Sequence, residues 1–477
     1  MSIEVLLVYL PTKFGSGKSY GLPPLGIFYM AANLNRRGIS ARVLDASIKG
    51  LSLENTLAQI KALNPKVLGF SVLTAHLESF VTILNHLKTN AWPGFIVAGG
   101  AHFNDTRDEL FEYADIDYAM YGECDEAFPI LVKSLLGGGG VDQVPNLIYR
   151  KEGGVAINPA LPFLGELDDL PFPNLADGLY RDYAMIYGRR SHAMSIMCSR
   201  GCPYLCTFCD VHSIWGRKVR SRSPNNVVNE IQFNINTYGI REFFFRDSTF
   251  TLNFKWVNSL MEEIERRGLD FVWHCNARVD RIDETLLNRM KRNGLVCISY
   301  GVESGNQAVL DRMKKDVKVE EIVAAFELTD KIGLQANAFL MIGNPGDSPE
   351  TVADTMDLAL RIPATFIDVG PTVAYPGTET YSVAVAENLI ADPKWYLKDG
   401  FLGRRVKGVI SDASRGQLNI PGFSPEAQCK ACRQIASSFY FRPIAVWRIL
   451  FKNFNVWVFW RSLKFLPAFL GFVRAPR

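Results

Sequence analysis

Strand-length apolar runs alternate with helix-length segments in two long series along this chain, a pattern that commits it to parallel βα units. In the first series the runs 3–10, 41–45, 67–73, 95–98 and 117–121 are separated by segments such as 25–37 and 76–88. Five such units predict a Rossmann-like, doubly wound parallel sheet. Ligands of such sheets bind beyond the carboxyl ends of the strands, here the loops after Asp45, Leu73 and Ala98. Glycines 137–140 break the pattern. Residues 141–190, rich in Pro, Gly and Asp, read as a linker with little regular structure. The second series has strand candidates at 193–197, 242–246, 271–276, 296–302, 335–342 and 366–370, with helices such as 225–238, 254–267 and 319–332 between them. Six strands predict a partial (β/α)6 barrel with its site at the C-terminal mouth. The expected divisions are 1–140, 141–190, 191–400 and a separate, helical C-terminal region over 401–477.

Bulk properties exclude several classes. The net charge is +3 from 52 basic and 49 acidic residues, so nothing global points to nucleic acid. Seven Lys/Arg and no acid lie between 438 and 477, leaving the remainder at −4. The basic excess therefore belongs to the tail. Glu4 and an early strand pattern stand where an export signal would be. No run of about 18 uncharged apolar residues is present to span a bilayer. Nine cysteines without an export signal do not read as a disulfide framework, and three of them are tightly clustered. This predicts a metal site in a reducing cytoplasm.

That cluster is Cys202-Pro-Tyr-Leu-Cys206-Thr-Phe-Cys209, just after the first barrel strand. Three thiolates on one loop can hold three irons of a cubane and leave the fourth open for a small-molecule ligand. Structural zinc is the alternative, with Cys198 as a fourth thiolate, although zinc ligands usually come as two separated pairs. The spacing resembles the Cys-x3-Cys-x2-Cys signature of the radical S-adenosylmethionine (SAM) superfamily, and the resemblance extends over roughly 190–375. Ser199-Arg200-Gly201 matches the usual approach to the motif, and Phe208 the aromatic position near the SAM adenine. Asp247 lies where the family often has two acids at the second strand's end; the second is Ser248 here. Arg278 matches a recurrent basic position after the third strand. Glu303 and Ser304, in Gly301-Val302-Glu303-Ser304-Gly305, resemble the fourth-strand loop near the SAM ribose and methionine, and Gly343 opens a similar fifth-strand loop. The resemblance implies a [4Fe–4S] cluster on Cys202, Cys206 and Cys209. It also implies reductive cleavage of SAM to a 5′-deoxyadenosyl radical, and an electron donor such as flavodoxin or ferredoxin. The cofactor carries the reactivity, and the barrel positions it and excludes water.

The first series resembles the cobalamin-binding domains that precede some radical SAM barrels. Leu22-Pro23-Pro24-Leu25-Gly26, Ser71-Val72-Leu73, Gly99-Gly100-Ala101-His102 and Tyr121-Gly122-Glu123 stand where that subfamily has similar text. The resemblance implies that Ser71, Leu73, Gly99 and Gly100 accommodate the nucleotide tail, with His102 beside them. The usual Asp-x-His-x-x-Gly motif appears as Asp45-Ala46-Ser47-Ile48-Lys49-Gly50, with Ser47 at the cobalt-ligating position. Imidazole suits cobalt and a hydroxyl does not. Cobalamin is thus expected without a side-chain nitrogen from position 47. The alternative is a domain of the same fold without the cofactor.

Other features carry less. Gly15-Ser16-Gly17-Lys18-Ser19 imitates a phosphate loop, but the required first glycine falls on Thr12, so nucleotide binding by this route is rejected. His76, His86, His192, His212 and His274 form no spaced ligand pair, and Cys429 and Cys432 read as ordinary helical cysteines. Residues 439–472 hold Trp447, Trp457, Trp460 and eight phenylalanines among basic residues. This suits either a peripheral contact with the inner face of the membrane or a helix packed over the barrel. The sequence is thus read as a cobalamin-dependent radical SAM methyltransferase acting on an unactivated carbon of a small-molecule or lipid-like substrate. The rivals are a radical cyclase or rearrangement enzyme on a lipid or tetrapyrrole, and a non-catalytic cluster-bearing or cobalamin-sensing protein.

Overall fold

The computed structural model describes residues 3–14, 21–397, 416–449, 455–457 and 459–461. The phosphate-loop imitation at 15–19 lies outside these residues, as do 450–454, 458 and 462–472 of the aromatic and basic tail. The chain forms two compact units.

The first unit is built on the sheet expected from the first series. Its parallel strands are β1 (Val5–Tyr9), β2 (Ala41–Asp45), β3 (Val67–Ser71), β4 (Phe95–Gly99) and β5 (Tyr118–Met120). They lie in the order β2-β1-β3-β4-β5. The chain reverses direction across the sheet between β1 and β3, where Tyr9 is paired with Ser71. That reversal opens a crevice at the carboxyl edge. Helices α1 (Leu25–Arg36), α2 (Leu53–Leu63), α3 (Leu77–Thr89), α4 (His102–Thr106) and α5 (Ala127–Gly137) connect the strands.

The segment expected as a linker is more ordered than its composition suggests. Strands β6 (Leu147–Lys151) and β7 (Gly154–Ile157) form a hairpin that extends the sheet antiparallel to β5. Gly153 and Gly154 take positive φ in its turn. Both strands are short, and the flanking Gly and Pro hid them. The segment from 141 to Tyr183 therefore belongs to the first unit, which also takes back α6 (Val211–Trp215) and residues 394–397.

The second unit contains six parallel strands: β8 (Met194–Ile196), β9 (Glu242–Phe245), β10 (Val272–Ala277), β11 (Leu295–Glu303), β12 (Gln335–Ile342) and β13 (Phe366–Pro371). They lie side by side in chain order, as a partial barrel requires. Helices α7 (Pro224–Tyr238), α8 (Phe254–Arg267), α9 (Glu284–Arg292), α10 (Gln307–Arg312), α11 (Val319–Ile332) and α12 (Pro349–Arg361) alternate with the strands. Ser223, Asn253, Asp283, Asn306 and Ser348 cap five of them by accepting a backbone N–H. One face of the sheet is apolar and packs on helices. There the rings of Phe245 and Trp273 stack at 4.8 Å, and Tyr300 meets Phe326 of α11 at 5.2 Å. The opposite, inner face is polar.

After α13 (Glu379–Ala386), the C-terminal region is helical, as expected, but its residues from 416 on are part of this unit rather than a separate element. Helix α14 (Pro425–Tyr440) begins with the Ser424 cap followed by Pro425 and packs along β13. Its Tyr440 hydroxyl bonds the edge backbone at Ile367 N (3.0 Å) and Ile367 O (2.8 Å). No helix among the described residues is long and apolar enough to cross a membrane.

Candidate functional site

The cluster loop leaves the carboxyl end of β8, and Cys202, Cys206 and Cys209 on it are half-buried and in no disulfide. Cys198 is buried in the core, and burial together with nearby Asp247 raises its thiol well above the ordinary value. Among the described residues no three His, Cys, Asp or Glu side chains converge on one ion. A cubane, whose thiolates each bind a different iron, does not need such convergence.

The loop is braced on several sides. Thr207 N donates to Met313 O (3.0 Å), and Thr380 N donates to Thr207 O (2.9 Å). Arg278 lies 3.7 Å over the Tyr204 ring. Its guanidinium also donates to Lys315 O (2.8 Å), Asp316 O (3.0 Å) and Asp280 Oδ1 (2.8 Å). Arg281 Nε donates to the Tyr204 hydroxyl at 2.7 Å. Asp247 is buried at the approach to the loop, where it accepts from the Ser199 hydroxyl and from Cys198 N at 3.3 Å. Burial pushes its carboxyl up to about 6.

Glu303 ends β11 in the left-handed region (φ +65°), and Lys315 Nζ stands 2.8 Å from its Oε1. Both side chains are buried. Lys315 also lies 5.8 Å from the centre of the Phe208 ring. Burial raises the Cys206 thiol, and the charges of Lys315 and Arg278 draw it back down. Ser304 is buried, 3.3 Å from the Thr355 hydroxyl. Gly343 has φ +89°, and a Cβ there would strike the Gln428 amide of α14, so packing within the unit accounts for this glycine.

The sequence pointed to Phe208, Asp247, Arg278, Glu303 and Ser304. It did not single out Lys315, Tyr204, Thr207 or Thr380. Lys315 stands twelve residues after Glu303 and reads in sequence as one more surface lysine.

In the first unit the carboxyl edge carries Ser47, Ser71 and Leu73, which are half-buried or exposed. Asp45 is buried beneath it. Its carboxylate accepts from Ile48 N (2.9 Å) and from the Tyr183 hydroxyl (2.8 Å), and burial raises its pKa. The Asp45 side chain thus closes a turn that ends near Gly50 (φ +60°). Gly99 ends β4. Gly100 has φ +102°, and a Cβ there would lie 2.7 Å from Val72 O, so this glycine lets two loops cross. His102 is buried behind them, with Nδ1 3.1 Å from the Thr74 hydroxyl and its ring edge-on to Tyr396 at 5.5 Å. His76 is also buried and lies edge-on to Tyr9 at 4.9 Å. Burial pushes His76 down to about 4 and His102 to about 3, so both are neutral. Among the described residues this edge offers Leu73 and the serines, and the imidazoles of His76 and His102 are buried behind it.

Residues 196–359 match the radical SAM superfamily, and residues 19–132 match the B12 binding domain. The chain is 27% identical over 457 residues to the uncharacterized methyltransferase PH0819 of Pyrococcus horikoshii, covering 94% of this chain and 95% of that one. It is 27% identical to the cytidylyl-2-hydroxyethylphosphonate methyltransferase of Streptomyces wedmorensis, over 84% and 82% of the two chains. The solved structure of the radical SAM methyltransferase TsrM from Kitasatospora setae, with cobalamin and a [4Fe–4S] cluster bound, superimposes with a TM-score of 0.67. At 19% identity over 93% of this chain and 90% of that one, this likeness shows a common fold. With a three-thiol loop at the mouth of a partial barrel and a B12 binding domain before it, the chain belongs to the radical SAM superfamily, in its cobalamin-binding branch.

Proposed function

We propose that this protein methylates an unactivated carbon of a small organic molecule, with a [4Fe–4S] cluster, SAM and cobalamin as its cofactors. The observation that carries the reading is the braced loop of Cys202, Cys206 and Cys209 in a chain that also holds a B12 binding domain. When bound, the cofactors supply one-electron chemistry and a transferable methyl group. The protein's part is to hold and shield. Cys202, Cys206 and Cys209 would ligate the cluster, and the contacts of Thr207 and Tyr204 keep their loop in one conformation. Lys315 and Arg278 place positive charge beside Cys206. Phe208, Glu303 and Ser304 offer an aromatic face and polar groups to SAM, with Asp247, Arg278 and Gly343 shaping the loops around them. In the first unit Ser47, Ser71, Leu73 and Gly99 would meet the corrinoid, while Asp45, Gly50, Gly100 and His102 support that edge from behind.

A flavodoxin- or ferredoxin-type protein supplies the electron in this reading. The tail adds peripheral contact with an anionic membrane surface, supported by the exposure of Trp447, Trp457 and Trp460. The test is anaerobic incubation of the reconstituted protein with methyl-deuterated SAM and a low-molecular-weight cell extract, followed by mass comparison. Methyl transfer gives a product carrying the label. A product that has only lost hydrogens would replace this reading with a cyclase.

A further inference from the structure

The inner face of the barrel sheet is polar in consecutive rows. Ser195, Phe244, His274, Cys297 and Gln335 stand side by side across β8 to β12, and Asn276, Ser299, Asn337 and Phe366 form the next row across β10 to β13. Several of these groups lack a partner among the described residues. They are Ser195 Oγ, His274 Nδ1, Asn276 Oδ1, Gln335 Oε1 and Asn337 Oδ1. Ser195, His274 and Asn337 are fully buried. A buried polar atom without a partner is unfavourable, so five on one face point to a ligand or waters that satisfy them.

Asp368 lies beyond Asn337 on this face. Asn337 Nδ2 donates to Asp368 Oδ2 at 2.8 Å, which sets the amide so that Oδ1 is the atom left over. The Asp368 carboxylate is reached by solvent, yet enough protein surrounds it that burial raises its pKa. It has no ion-pair partner among the described residues. Arg246, at the end of β9, lies 5.3 Å from the Phe244 ring centre. Tyr187 walls the same recess, stacked on Phe366 at 5.2 Å and edge-on to His274 at 5.9 Å. Of the unpartnered atoms, the three amide oxygens can only accept, and the carboxylate beside them carries negative charge.

We infer that this recess binds the amine of the substrate, with Asp368 and the Asn276 and Asn337 carbonyl oxygens accepting its N–H groups. This rests on the methyltransferase reading and adds a substrate class: a molecule with a primary or secondary amine.

The test uses the full-length reconstituted protein with methyl-deuterated SAM and low-molecular-weight cell extract. One half of the extract is treated with an N-acetylating ester that caps primary and secondary amines. Labelled product from the untreated half and none from the capped half is the expected result. Labelled product from both halves overturns the inference and leaves the methyltransferase reading standing. No labelled product from either half sinks that reading and the inference with it. As a second measurement, Asp368→Asn is compared after its iron content and melting temperature have been matched to the parent. The amount of extract needed for half-maximal labelling should rise at least tenfold, and an unchanged requirement overturns the assignment to Asp368.

Discussion

Lys315 Nζ stands 2.8 Å from Glu303 Oε1 in a pair that is nearly closed to solvent on both sides. Glu303 needs this partner because its charge is buried. Breaking a buried pair by removing one partner leaves the other charge uncompensated, at a cost of about 3–5 kcal/mol. Lys315→Met should therefore destabilise the second unit by about that amount. The double variant Glu303→Gln/Lys315→Met should recover part of the loss. Urea denaturation of the cluster-free protein measures these variants and Glu303→Gln alone, and a double-variant loss equal to the sum of the two single losses would show that the two residues are not coupled.

The three loop cysteines give a composition that can be counted. Anaerobically purified protein should carry about four irons and four sulfides per chain, as one cubane requires. Replacing Cys202, Cys206 and Cys209 together by Ala should abolish both the bound iron and SAM cleavage. Cys198→Ala should retain the iron, because Cys198 is a core residue. Iron and zinc analysis of the two variants checks this, and full iron content in the triple variant would refute the ligand assignment.

What could be read from the sequence follows from how far apart the interacting residues are. Both parallel sheets were legible because each buried strand is a local apolar run, and runs of that length alternate with helices. The cysteine loop was legible because its chemistry is written in eight consecutive residues. Partners remote in sequence left no such mark: Tyr183 reaches Asp45 across 138 residues, and Thr380 meets Thr207 across 173. The short hairpin of β6 and β7 was hidden for a different reason. Its strands are partly exposed and flanked by glycine and proline, so composition pointed to a linker. Glycines were legible as special positions, but their causes were not. Gly100 yields to Val72 and Gly343 to Gln428, contacts that only the folded chain supplies.

Acid should weaken the first unit through its buried histidines. Burial lowers His102 from 6.5 to about 3 and His76 from 6.5 to about 4. Below about 6.5 the unfolded chain takes up protons on these rings that the folded chain refuses, so stability falls as pH drops from 6.5 towards 4. Asp105, pushed up to about 6 by burial, acts in the opposite sense between its ordinary 3.8 and 6, because there the folded state is the better proton acceptor. His102→Gln removes one of the two histidine contributions. Its melting temperature should fall less than the parent's between pH 7 and pH 5, and parallel falls would show that His102 does not carry the dependence.

Cobalt ligation should not come from position 47. Ser47 has no nitrogen in its side chain, and the nearby imidazoles of His76 and His102 are buried. The full-length protein loaded with cob(II)alamin should show no nitrogen superhyperfine coupling from a protein ligand once the corrinoid's own base has been removed. Electron paramagnetic resonance measures this directly. Persistent nitrogen coupling that disappears in His102→Gln would instead make His102 the lower ligand, after a movement that exposes it.

The tail combines two roles that truncation alone would confuse. Trp447 and Trp460 are 48% and 58% exposed, as suits rings that enter a bilayer interface. Arg461, one residue further on, is only 5% exposed and does not face lipid. It donates to the carbonyls of Met185, Gly188, Arg190 and Ser191 at 2.6–3.0 Å, in the loop that carries Tyr187 into the barrel recess. Hydrogen bonds from a charged donor contribute about 1.5–3 kcal/mol. Arg461→Ala should therefore lower the stability of the protein while leaving vesicle binding intact. Trp447→Ser/Trp460→Ser should do the reverse, reducing sedimentation with phosphatidylserine-containing vesicles at unchanged melting temperature. Binding by the parent should weaken as salt rises, since each basic residue near an anionic surface contributes about 1 kcal/mol that ions screen. Equal vesicle binding by the parent and the double tryptophan variant would remove the membrane from the reading and leave the tail its structural role alone.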